Sequence, residues 1–300
     1  MLISTYLDKL DIKYNVHNEV EVDSLGLADY NNGDRVVTFI ENENYVGSVT
    51  SNVKLIITNE SVYKKIHSDV GVVIVKNARD TFFRLHNLLT KEKDYNSNNL
   101  RTKIGLNCDI SPLAVIAKNN VIIGDNVKIE EFVVIRENTR IGDNSIIRAG
   151  SRIGGEGFEF KKNDTEVMAV KHVGWVEIGK NVEIQYNTCI DKAIYPWDKT
   201  FVGDDVKIDN LVHIAHGCKI GNRTMIVANS GIGGRTVIEN DSWIGFGATI
   251  RNGLHVGSRS RANMGAVVTK SIPSGEAVSG NFAINHHDFI EKMKTFRRLR

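Results

Sequence analysis

At 300 residues and 41% hydrophobic content, the chain has room for two domains with packed cores. Its 38 basic and 36 acidic residues leave a formal charge of +2, so no general electrostatic footprint for nucleic acid is present and no such partner is expected. Three cysteines (Cys108, Cys189 and Cys218) without a CxxC pair, no signal-like start and no apolar run near the ~20 residues of a membrane helix predict a reduced, cytoplasmic protein without a membrane span.

Residues 1–100 carry no repeat and predict an α/β domain. Segments 53–60 (VKLIITNE) and 70–77 (VGVVIVKN) read as buried strands, and 79–93 as an amphipathic helix. The polar stretch 94–103 suits a linker. A different pattern then begins, with isoleucine every six residues at Ile123, Ile129, Ile135, Ile141, Ile147 and Ile153. It resumes at Ile178, Ile184 and Ile190 and skips a turn at Pro196. From Val202 it runs through Ile208, Ile214, Ile220, Ile226, Ile232, Ile238, Ile244, Ile250 and Val256 to Ala262 and Val268.

A period of six drifts around a helix and would spread isoleucine over every face. Short strands separated by corners accommodate it, each strand pointing one branched residue inward. Three such strands close a triangular coil of about 18 residues, and stacking the coils buries the isoleucines in continuous ladders. A parallel β-helix over 101–272 is therefore predicted. Residues 159–177 and 191–199 break the period and predict loops from coil corners, where binding groups are often found. Pro273 is expected to stop the coils. Segment 284–300, within a closing section 273–300, reads as a terminal helix carrying Lys292, Lys294, Arg297, Arg298 and Arg300.

Several segments together resemble the UDP-3-O-(3-hydroxyacyl)glucosamine N-acyltransferases of lipid A synthesis. GDRVVTFIENENYVGSV (33–49) is similar to that family's base-holding segment, with Phe39, Asn42 and Tyr45 on its three defining positions. GGEGFEF (154–160), IDK (190–192), KIDNLVHIAHG (207–217) and the terminal helix resemble further family segments. The resemblance implies a left-handed β-helix, a homotrimer with sites shared between subunits, and an N-terminal nucleotide-binding domain. It also implies an acyl thioester co-substrate, on acyl carrier protein or coenzyme A, with no permanently bound cofactor and no metal. The acceptor it implies is a nucleotide-linked amino sugar.

Amide formation from a thioester needs a base for the amine proton and a donor for the carbonyl oxygen. His216 lies two residues past the inward Ile214, at a corner, and an imidazole accepts protons near neutral pH. By resemblance it falls on the general base. Gly234 is 18 residues on, one coil away, and falls on the glycine whose N–H holds the oxyanion. Asp209 and Asn210, one hexad upstream, are candidates for orienting His216 or binding sugar hydroxyls, and Asp191 is a candidate for substrate binding. The match departs in places: Gly253 stands where the family has a second histidine, with His255 nearby, and Lys192 replaces an arginine. The Tyr195–Pro196–Trp197 loop is bulky, and the helix ends at Arg300, earlier than is usual.

These departures leave open a short-chain or acetyl-coenzyme A donor, with a nucleotide amino sugar of surface polysaccharide as acceptor. Two other classes remain. One is a γ-type carbonic anhydrase, suggested by HIAHGCKIG (213–221), although its zinc needs three converging ligands. The other is a non-catalytic scaffold.

Overall fold

The computed structural model describes residues 1–29, 33–66, 70–92, 94–95, 100–280 and 282–298. The chain begins with helix α1 (Ile3–Lys9) and strands β1 (Tyr14–His17), β2 (Ser24–Leu25), β3 (Val36–Ile40), β4 (Val53–Thr58) and β5 (Gly71–Val75), followed by a longer helix, α2 (Ala78–Leu89). The sheet order is β1-β5-β4-β3-β2, parallel except where β1 meets β5. Near-continuous Val and Ile runs are what a strand covered on both faces requires, and β5 is buried at every residue. Asn77 caps α2 by accepting the Asp80 N–H, and Phe82, Phe83, Leu85 and Leu89 bury its inner face.

From Lys103 onward the chain is a triangular coil of three parallel sheets with nine, eight and eight strands. Successive coils pair at a spacing of 18 residues, as in Ile208 with Ile226 and Ile226 with Ile244. The inward isoleucines are at most 2% exposed from Ile123 to Ile250. Corners between strands adopt left-handed backbone at Asn126, Asn144 and Asn181, a conformation asparagine tolerates better than most residues. One strand beyond expectation, Ala277–Val278, pairs with Arg261–Ala262. The coils therefore continue past Pro273, which turns the chain without ending the stack. Helix α3 (His286–Arg298) follows. The side chains of Arg297 and Arg298, and Arg300 altogether, fall outside the described residues.

Both interruptions of the repeat leave the coil and build the junction with the N-terminal domain. The longer one forms a hairpin, Phe160–Lys162 with Val167–Ala169, that lies against α2. Arg84 pairs with Glu166, and Asn87 binds the Ala169 carbonyl and the Lys171 N–H, at 2.8 and 2.9 Å. Buried His86 joins the Tyr95 hydroxyl at 2.9 Å and the Lys171 carbonyl at 2.8 Å. The shorter interruption inserts Ile194 and Tyr195 into the core of the N-terminal domain. Trp197 stacks on Tyr195 at 5.2 Å and donates to the Leu25 carbonyl at 2.7 Å. Among the described residues no helix is long and apolar enough to cross a membrane.

Candidate active site

Docking the two domains leaves a cleft of about 970 Å³ between them. On the N-terminal side, β3 carries Phe39 to the rim, its ring packed on Phe82 and Phe83 at 4.9 and 5.9 Å. Beyond the end of β3, Asn42 accepts the Asn44 N–H at 3.0 Å and starts a short 3-10 turn, Glu43–Ser48. That turn presents Tyr45, 61% exposed, to the cleft. Arg79, Lys161 and Arg235 add positive charge to the lining, opposed by Asp29, Glu41 and Glu159.

On the coil side, His216, Gly234 and Asn252 lie one above another at the same corner of consecutive coils and all line the cleft. The stacking is held by Arg235 N–H to the His216 carbonyl and Gly253 N–H to the Gly234 carbonyl, both 2.9 Å. The absence of a side chain at Gly234 is a steric necessity, since a Cβ there would stand 2.8 Å from His216 Nε2. The Gly234 N–H has no hydrogen bond among the described residues.

Burial pushes the His216 imidazole below its usual value of 6.5; Glu159 opposes that shift and Arg235 adds to it. The ring is therefore neutral near pH 7, as a proton acceptor must be. Its Nε2 lies 3.5 Å from Glu159 Oε2, while Nδ1 is buried without a hydrogen-bond partner among the described residues. His172, at the end of the hairpin excursion, meets it edge to face with ring centroids 5.3 Å apart. Burial, reinforced by His216, pushes His172 down to about 4. Asp191 accepts from His213 Nε2 at 3.0 Å, and that bond raises the pKa of His213.

The cleft thus unites Phe39, Asn42, Tyr45, His216 and Gly234, five residues proposed from sequence. Asp191 lies behind the histidine: a Cβ on Gly157 would stand 3.1 Å from Asp191 Oδ2 and 3.1 Å from His216 Nδ1. Within one chain Asp191 is not among the residues that line the cleft, although its partner His213 is. Asp209 and Asn210 occupy a different corner, between the strands Lys207–Ile208 and His213–Ile214. There Asp209 accepts the Ala228 N–H at 3.1 Å and Asn210 the Tyr186 N–H at 3.0 Å. Within one chain they do not orient His216, since each edge of the triangular coil faces a separate direction.

His255 pairs with Glu239 at 2.9 Å and does not line the cleft, and Lys192 lines a separate depression with Arg136 and Glu156. Sequence reasoning missed His172, Glu159 and Arg235. Arg235 directly follows Gly234 and was open to notice, but His172 and Glu159 come from the excursion, where no period assigns a neighbour. Among the described residues no three His, Cys, Asp or Glu side chains are grouped to hold a metal ion.

The three stacked parallel sheets, turning every six residues, make a parallel β-helix of hexapeptide repeats. Residues 120–155 and 199–234 match the bacterial transferase hexapeptide (six repeats) family model. The resemblance read from the motifs is also found by comparison with individual proteins. A UDP-3-O-acylglucosamine N-acyltransferase of Helicobacter pylori is 46% identical over 65 residues, covering 21% of this chain and 19% of that protein. The enzyme named UDP-3-O-acylglucosamine N-acyltransferase 1 in Legionella pneumophila is 47% identical over 64 residues, 21% of this chain and 18% of that one. The match thus spans about a fifth of the length of these relatives. Among solved structures, UDP-N-acetylglucosamine acyltransferase from Campylobacter jejuni superposes with a TM-score of 0.55 at 21% identity, over 65% of this chain and 79% of that one. The Arabidopsis UDP-N-acetylglucosamine acyltransferase gives 0.52 at 22% identity, over 64% and 73%. At that identity the likeness concerns the fold, a left-handed parallel β-helix.

Proposed function

We propose that the protein is an N-acyltransferase that moves an acyl group from a thioester to the amino group of a nucleotide-linked amino sugar. The observation that carries this reading is the cleft itself. It sets Phe39 and Tyr45, flat surfaces for a nucleobase, across from His216 and Gly234 on the coil. Arg79, Lys161 and Arg235 line the same space and suit the charge of a diphosphate.

The sugar amine attacks the thioester carbonyl while His216 Nε2 takes the proton it sheds. The Gly234 N–H holds the oxygen that becomes negative as the tetrahedral centre forms. The C–N bond then persists, the C–S bond breaks, and the thiolate leaves with the proton from His216. Neither a cofactor nor a redox step is required by this balance. The donor is an acyl thioester on carrier protein or coenzyme A.

We place the working unit at a homotrimer with sites between subunits. Supporting it, Phe132, Leu211, Phe246 and Met264, each 49% exposed or more, lie on the corner that also carries Asp209 and Asn210, with intervening coils between some of them. An adjoining copy would cover that apolar stripe and bring the two polar side chains to a neighbour's cleft. Light scattering at three times the chain mass supports this arrangement, and a monomer at working concentration overturns it.

The function is tested by thiol release from a panel of acyl-coenzyme A donors against UDP- and dTDP-linked amino sugars, then from hydroxyacyl carrier protein with UDP-3-O-acylglucosamine. Release in either arm, lost by about 10²–10⁴-fold in kcat in His216→Ala with KM nearly unchanged, is the expected result. A short-chain preference assigns the protein to polysaccharide amino sugars rather than lipid A. Silence in both arms rejects acyl transfer.

A further inference from the structure

The proposed base has a requirement that the cleft residues do not meet. For Nε2 to accept a proton from the substrate, the proton of neutral His216 must sit on Nδ1, and a buried N–H needs an acceptor. Nδ1 is buried beside a small polar cluster supplied by the excursion and the preceding coil. A single point, the position a Cβ would take on Gly157, lies 3.1 Å from His216 Nδ1, 3.1 Å from His172 Nε2 and 3.1 Å from Asp191 Oδ2. The three atoms therefore border one small space, each no more than about 6.2 Å from the others; His216 Nδ1 and His172 Nε2 are not hydrogen-bonded to each other in the structure, so pairing them takes a small shift of the rings or one bridging water.

The chemistry of each atom is fixed by its other bonds. His172 Nδ1 lies 3.0 Å from the Val170 carbonyl, which only accepts, so the proton of neutral His172 is on Nδ1. Its Nε2 is then a lone pair, buried and without a partner among the described residues, in a side chain only 2% exposed. His216 Nδ1 is buried and unpartnered in the same way. One side offers an obligatory acceptor and the other needs one, and a buried polar group left unpaired is destabilising. Asp191 is already engaged by His213 Nε2 at 3.0 Å.

We propose that His172 is a positioning residue for the base: its Nε2 accepts a hydrogen bond donated by the His216 Nδ1–H, which fixes the tautomer that leaves Nε2 free toward the cleft. Asp191 is the anionic member of the same cluster and balances the imidazolium formed during transfer. The Val170 carbonyl sets His172, and His172 sets His216, so a backbone group of the excursion determines which nitrogen of the base is free. Gly157 is the residue that permits the close approach, since any side chain there would enter the cluster. Glu159 and Arg235 face the ring from the cleft side and leave Nδ1 untouched. The inference rests on the acyl-transfer reading for its catalytic consequence, but not for the tautomer itself.

The test uses the full-length protein with 15N-labelled histidine, near pH 7.5, together with steady-state kinetics. Wild-type His216 is expected to show an Nδ1-protonated signature, assigned by its loss in His216→Ala. His172→Leu removes the acceptor, mixes the two tautomers and lowers kcat about tenfold or more at little-changed KM. His172→Gln restores an acceptor oxygen and returns both the signature and kcat to within about threefold. Thermal melts of all variants separate these effects from unfolding. An Nε2-protonated His216 in the wild type overturns the proposal. So does a signature unchanged by His172→Leu, or one lost only in Asp191→Asn. Absence of turnover on every substrate would instead reject the acyl-transfer reading, while the nitrogen spectra still decide the tautomer.

Discussion

Gly234 and His216 are matched by what one lacks and the other occupies. The imidazole fills the volume a side chain on residue 234 would take, with Nε2 only 2.8 Å from that Cβ position. Gly234→Ala should therefore displace the ring from the corner and remove the oxyanion donor's access in the same step. A loss of at least 10²-fold in kcat, with a melting temperature near the wild-type value, is expected from kinetics and calorimetry on the purified variant. The acid limb of kcat/KM provides a separate test at this scale. Because burial lowers the pKa of His216, activity should persist below pH 6.5 and fall only as pH drops further through the lowered value. A limb centred above 6.5 would show that the titrating group is another residue.

At the scale of elements, the two interruptions differ in what they contribute. The excursion that brings His172 and Glu159 to the site also straps α2 through Asn87, Arg84 and His86. The shorter interruption contributes packing: Tyr195 is fully buried in the N-terminal core, and Trp197 stacks on it and bonds to β2. Trp197→Ala removes both the ring stack and the bond to the Leu25 carbonyl. We expect a loss of about 3 kcal/mol, measured by urea unfolding, with the coil the later-melting part. The sequence marked this loop as a departure from pattern but gave no sign that it pointed inward. A bulky aromatic in a loop becomes core only when another domain covers it.

Across the whole molecule, stability is unevenly shared. The coil is a stack in which each layer buries its isoleucines against the next, so a cavity made by Ile226→Ala should cost about 2–5 kcal/mol and be felt mainly in adjoining coils. The junction between domains depends instead on a few neutral polar groups, above all His86, whose pKa burial pushes down to about 4. A group depressed in the folded state favours folding above its unfolded value and loses that contribution as pH falls. Stability should thus be fully present above about pH 6.5 and be lost progressively toward pH 4, by roughly 3 kcal/mol for His86 alone. Melting temperatures measured across that window, and flattened in His86→Gln, provide the check; an unchanged slope in the variant would assign the loss to other groups.

What the sequence determined by itself is whatever is periodic or local. Ile123 through Val268 specify the coil because one residue in six must point inward. The same arithmetic placed Gly234 beside His216, since a coil of 18 residues returns the chain to the same corner. Only the tertiary structure decided what is neither periodic nor local. It carried Phe39 and Tyr45 across from another domain to face that corner, and it set Asp209 and Asn210 on a different edge. It also brought His172 out of an aperiodic excursion to stand behind the base. Side chains far apart in the chain meet only when the excursion and the inserted loop pack against α2, and no spacing rule records that packing in advance.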